Sequence, residues 1–190
     1  MLATEVLKEE HQVIEKVLNT LEAFALKLER GEEVNVGILE KSIDFIRTFA
    51  DRCHHGKEED RLFQLMARQG FSRNSGPIAV MLQEHDLGRS FVKAMADAIE
   101  KYKDGDASSK RDIAENAREY TNLLRQHIYK EDNVLYPLAD GTLLEKDQKN
   151  LLEEFEEFER KEIGIRVHEK YHRLAEELEI EAGQPTKTEE

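Results

Sequence analysis

Apolar residues recur along this chain at steps of three, four and seven, the period of one helix face and not the alternation of a strand. The first such run spans about Thr4 to Arg30, with Leu7, Ile14, Val17, Leu18, Leu21, Phe24, Ala25 and Leu28 on its apolar side. Thr4 is the expected N-cap, because its hydroxyl can accept from an otherwise orphan backbone N–H. Gly31 to Asn35 is a short connection, and Asn35 can cap the second run, about Val36 to Arg68. A loop at Gly70 to Gly76 leads to a third run, Pro77 to Lys103, whose proline suits a first helical turn. A turn around Gly105, with Ser108 or Ser109 as cap, precedes a fourth run to Leu138. A fifth, Glu145 to Leu178, is very acidic at its start, and Gly164 predicts a bend or break in it. Short links make antiparallel neighbours. The expected fold is therefore all-α: an up-down-up-down four-helix bundle with an additional C-terminal helix. The corresponding units are a bundle over residues 1–142, an acidic helical extension over 143–180 and a flexible tail over 181–190.

Composition narrows the function. Charged residues make up 36% of the 190 and the net charge is -13, so nucleic acid and anionic membranes are poor partners. No stretch approaches the roughly eighteen apolar residues of a membrane span. The N-terminal MLATEVLKEEHQ lacks the basic and apolar regions of a signal peptide, which makes the cytoplasm the expected location. A single cysteine, Cys53, excludes an internal disulfide framework.

The histidines carry the chemical signal. In an antiparallel pair, two residues share a level when the turn lies midway between them. The midpoint of His11 and His54 falls in the first loop, that of His85 and His127 in the third, and that of His54 and His85 at the start of the middle one. All four can meet in one layer, roughly 30 Å from the outer-pair loops at about 1.5 Å per residue. Glu58 follows His54 by four positions and Glu131 follows His127 by four, which puts each pair on one helix face. Four imidazoles and two carboxylates exceed the needs of a tetrahedral structural zinc and suit two metals sharing carboxylates. Nitrogen and oxygen donors without thiolate favour iron first and manganese second. An internal repeat supports the same set: HHGKEEDRLF at 54–63 matches HIYKEDNVLY at 127–136, and Glu10-His11 matches Glu84-His85. His55 with Glu59 corresponds to Ile128 with Asp132, and an isoleucine cannot ligate. The first member of each pair is therefore the expected ligand, with His55 and Glu59 on the outer face or in support.

The segments EEHQVIEKVL, FADRCHHGKEEDRLF, QEHDLGRSF and LLRQHIYKEDNVLYPLA resemble the hemerythrin-like HHE cation-binding family over about residues 4–139. The resemblance implies a di-iron centre, compatible with an oxo or hydroxo bridge, held by His11, His54, Glu58, His85, His127 and Glu131, with the glutamates bridging. Members of the family bind dioxygen, react with nitric oxide or peroxide, sense iron or oxygen, or serve iron–sulfur repair. Oxygen-carrying hemerythrins have a further histidine where this chain has Arg89, and place their last carboxylate five positions after its histidine, where Glu131 stands at four. This set is more similar to the nitric-oxide-responsive and repair branch, and the expected partner is a small diatomic or peroxide. A reversible oxygen carrier or sensor, and an iron store or scaffold, are the alternatives.

Glu10, Glu84 and Asp86 are candidates to orient the ligand histidines. Arg89 is expected in ion pairs, with Asp86, Glu58 or a bound anion as possible partners. Cys53 reads as a small core residue, and Tyr129 and Tyr136 as pocket or packing residues. His168 and His172 lie one turn apart on the fifth helix, where packing, a second metal site or a fold-back onto the centre are all open. That helix is also the candidate surface for a protein partner or a homodimer.

Overall fold

The computed structural model describes residues 2–164 and 166–183. Helix α1 covers Ala3–Glu29. Helix α2 runs without interruption over 36–68, α3 is Gly76–Lys103, and α4 runs over 109–142. These four form the bundle, with α1 against α2 and α4, and α3 against α2 and α4. Helix α5 begins as Glu145–Phe158 and ends in a wider turn, Glu159–Ile163; α6 is Val167–Ala182. No strand occurs among the described residues. The break predicted at Gly164 is present: its φ of 109° ends α5. Of the tail expected over 181–190, Glu181 and Ala182 belong to α6 and Gly183 follows it; residues 184–190 lie outside the described residues.

Asn35 caps α2 as its sequence position suggests, its side chain accepting from the Gly37 N–H at 2.8 Å. Thr4 does not cap α1. The helix starts one residue earlier, and the buried Thr4 hydroxyl donates instead to Asp140 at the far end of α4, 2.8 Å away. The Ala3 N–H is satisfied by the Gln148 side-chain oxygen of α5 at 2.9 Å. The start of α1 is thus fastened by these tertiary contacts together with Glu5, whose carboxylate accepts from the Leu2 N–H at 2.7 Å.

Two apolar clusters fill the bundle. The larger includes Ile14, Val17, Leu21, Phe45, Phe49, Met95 and Leu124; the smaller includes Leu7, Leu62, Phe63, Met66, Ile78 and Leu135. Between them lies a layer of buried polar side chains. The C-terminal pair packs on the outside, α6 against α1 and α2, and α5 against α1 and the middle of α2. The apolar face of α6, with Tyr171, Leu174, Ala175 and Leu178, is buried within this same chain.

Candidate metal centre

Helices α2 and α4 widen where the polar layer crosses them. In α2, Ile46–His55 and Glu58–Leu62 take the π-helical hydrogen-bond pattern, and in α4 Glu131–Leu135 does so. Such widened turns add a residue per turn and turn extra side chains inward, which is why they gather at functional sites. Here they aim Glu58 and Glu131 at the bundle axis.

All six predicted ligands are buried, none more than 2% exposed. They form two histidine pairs. His11 Nε2 and His54 Nε2 are 3.0 Å apart, and so are His85 Nε2 and His127 Nε2. Each glutamate spans both pairs. Glu131 lies 3.3 Å from His11 Nε2 and 3.1 Å from His127 Nε2; Glu58 lies 3.8 Å from His54 Nε2 and 3.5 Å from His85 Nε2. Glu58 Oε2 and both oxygens of Glu131 are buried without a hydrogen-bond partner. Orphaned carboxylate oxygens in an apolar interior are costly unless a cation meets them. The donor set and these orphans fit a metal-cation site.

Protons hold the same charges in the metal-free chain. Burial alone would lower His11 and His127, but the hydrogen bond with Asp132 and the negative charge of Glu131 raise His11 to about 9. Glu131 and Glu84 raise His127 to about 10. Burial would raise the Glu131 carboxyl, yet His127 and His11 hold it well below the usual carboxylate range.

The profile of the hemerythrin HHE cation-binding domain matches residues 2–139. The chain belongs to that family. It is also 22% identical over 162 residues to uncharacterized proteins of Mycobacterium bovis and Mycobacterium tuberculosis, covering 85% of this chain and 63% of theirs. The chain thus spans a little under two thirds of the length of these relatives.

Around the centre of this hemerythrin domain, each of the four histidines turns its Nδ1 outward to a carboxylate. His11 meets Asp132 at 2.9 Å, His54 meets Glu10 at 2.9 Å, His85 meets Glu59 at 2.7 Å and His127 meets Glu84 at 2.9 Å. A carboxylate only accepts, so each Nδ1 carries the hydrogen and each Nε2 faces the centre. The repeat therefore extends to the outer layer, but crosswise: Glu10 serves His54 of the neighbouring helix, not adjacent His11. Glu84 likewise serves His127. Asp86 orients no histidine; it is exposed and pairs with Arg89 at 3.0 Å. Asp132, which sequence reasoning missed, takes an orienting role, and its signal was the match to Glu59 within the repeat. Arg89 also binds Asp51 and Glu59, both at 2.7 Å, rather than Glu58.

His55 is the main departure from the outer-face expectation. It is buried, stacked on His85 with ring centroids 3.8 Å apart, and its Nδ1 meets Asp51 at 3.3 Å. One of its nitrogens lies within 4.8 Å of ligand atoms of Glu58, His85 and His127. Burial, reinforced by charge on His85, pushes its pKa well below the usual histidine value, so it is neutral. Both consecutive histidines lie within the widened stretch Ile46–His55 and both are buried. Tyr136 is wholly buried; its hydroxyl donates to Glu58 Oε1 at 2.7 Å and its ring stacks on His11. Tyr129 is 67% exposed and takes no part. Cys53 is buried in the core as expected.

His168 folds back, but onto Glu10 and not onto a ligand position, with its Nε2 3.0 Å from Glu10 Oε1. His172 packs edge-on against Phe49.

Proposed function

We propose that this hemerythrin-like chain holds a di-iron centre and engages a small diatomic or peroxide ligand there, in stress response or iron-centre repair. His11 and His54 would hold one iron, His85 and His127 the other, and Glu58 and Glu131 would bridge them. The observation that carries this reading is the pair of buried glutamates, three of whose four oxygens lack a partner while each carboxylate spans both histidine pairs. Iron is preferred over manganese by the imidazole-rich, thiolate-free donor set. Two adjacent irons supply electrons that a single small oxidant or diatomic can take up.

The chain's own residues prepare the site. The outer carboxylates fix each imidazole's orientation, and Tyr136 holds Glu58 by one oxygen, leaving the other for the centre. A cavity of about 240 Å³ reaches His55 and His85, and Ile46, Val92, Tyr120 and Leu124 give it an apolar wall. Arg47, Arg89 and Lys93 line the same cavity, which is sized for a small molecule. No helix among the described residues is long and apolar enough to cross a membrane. The proposed role in stress response or repair would place the protein in the cytoplasm.

The test is metal content and absorption spectrum on protein purified without oxygen and then exposed to air or nitric oxide. About two irons per chain are expected, lost in His54→Ala and in Glu131→Ala, with a spectral change on adding either gas. Absence of iron after anaerobic reconstitution overturns the reading. A spectrum that forms in air and reverses on degassing, with no reaction toward nitric oxide or peroxide, selects the oxygen-carrier alternative.

A further inference from the structure

Helices α5 and α6 lie beyond the matched residues 2–139, yet two of their side chains enter the outer layer of the centre. Lys57 is wholly buried; its ammonium donates to Glu10 and to Glu159 Oε1 of α5, the latter at 2.6 Å. His168 of α6 reaches the same Glu10 oxygen at 3.0 Å. Glu10 in turn holds His54 Nδ1. Burial would raise the Glu10 carboxyl, but the Lys57 charge and the hydrogen bonds from His168 and His54 outweigh it.

The second half of the repeat has the same inner parts without these additions. Lys130 donates to Glu84, which holds His127, but the Lys130 side chain is 36% exposed. The sequence marks the difference. Where the second half has exposed Tyr129, the first has Gly56, and a Cβ there would lie 2.7 Å from the Phe158 ring of α5. Phe155 places its ring 5.6 Å from the Lys57 ammonium. Gly56 thus leaves room for α5 to close over Lys57.

We propose that α5 and α6 are a working part of the metal centre: Glu159 and His168 are positioning residues that act through Lys57 and Glu10 on His54, and make the metal at His11 and His54 inequivalent to the one at His85 and His127. The proposal rests on the di-metal reading above. A carboxylate that accepts more strongly from His54 Nδ1–H makes Nε2 a stronger donor and favours the more oxidised metal. Glu159 draws part of the Lys57 charge away from Glu10. Without it, Lys57 acts on Glu10 alone and weakens that pull. His168 weakens the pull directly, and its loss strengthens it. The two residues therefore act with opposite sign.

The experiment is a redox titration of the full chain loaded with 57Fe, followed by absorption and Mössbauer spectra. Wild type is expected to show two distinguishable irons. Glu159→Gln should raise the midpoint potential of one, His168→Leu should lower that of the same iron, and His168→Gln, which keeps a donor, should return it toward wild type. Lys130→Met should move the other iron alone. Glu10→Ala sets the scale, with about a 10- to 100-fold loss of affinity at one metal. Shifts of the same sign from Glu159→Gln and His168→Leu, equal shifts of both irons, or no shift at all reduce α5 and α6 to packing and overturn the proposal. A second measurement needs no metal: the His54 Nδ1–H proton resonance should move in opposite directions in the two variants, and an unmoved resonance overturns the proposal equally. A wild-type chain that binds no iron sinks the di-metal reading, and the resonance still decides whether Glu159 and His168 act on His54.

Discussion

Cys53 shows how neighbours set a residue's chemistry. It stands beside His54 in the chain, but is 1% exposed and lies beneath the junction of α5 and α6, beside Glu159 and His168. Burial pushes its thiol up to about 12, so little thiolate exists at neutral pH. Iodoacetamide at pH 8 should leave the native chain essentially unlabelled and label it once after unfolding. Fast labelling of the native protein would place Cys53 in an open, reactive position instead. His55 makes the converse point. Its alignment with Ile128 argued only against a ligand role, and both residues are buried; His55 is paired with Asp51 and stacked on His85. Alignment within a repeat carries burial across, but not the polar partners that a side chain finds there.

At the scale of elements, the widened turns of α2 and α4 do the work that loops do in many metal sites. They keep all backbone groups within helical hydrogen bonding while delivering a histidine and a glutamate from one helix to one centre. They also create close fits, of which Gly56 against Phe158 is the tightest among the glycines. Overpacking a buried contact costs about 1–3 kcal/mol, more than the roughly 1 kcal/mol that replacing a helical glycine can return. Gly56→Leu is therefore expected to lower the melting temperature and to speed limited proteolysis within 143–183. Tyr129→Gly at the matching exposed position should cost about 0.5 kcal/mol of helix propensity and leave proteolysis of that segment unchanged. Equal sensitivity of the two variants would mean that α5 is not seated on Gly56.

At the scale of the whole molecule, the centre ties all four bundle helices together, and its charge state governs stability. In the metal-free chain His11 and His127 are raised to about 9 and about 10. Raised histidines contribute stability that is fully present below their unfolded value, about 6.5, and is lost as pH climbs through 9 and 10. The metal-free melting temperature should fall from pH 7 to pH 10. Metals must displace those same protons, so apparent metal affinity should rise over that range and loading at pH 7 should release protons. Calorimetric melts with and without iron across this range would check both trends. A melting temperature of the metal-free chain that rises with pH would refute the pairing of these histidines with Glu131.

The sequence by itself determined the helical fold, the four antiparallel runs and the layer in which His11, His54, Glu58, His85, His127 and Glu131 meet. It could do so because apolar period, loop length and the repeat are all properties of spacing along one chain. It could not show which carboxylate serves which histidine. Glu10 adjoins His11 in the chain but orients His54, because neighbours on a helix point about 100° apart whereas residues on facing helices point at one another. Nor could it show that His55 turns inward, that Thr4 leaves its cap for Asp140, or that Glu159 and His168 reach Glu10 from beyond the bundle. Those depend on local winding and on where a distant segment packs, and only the tertiary structure decides either.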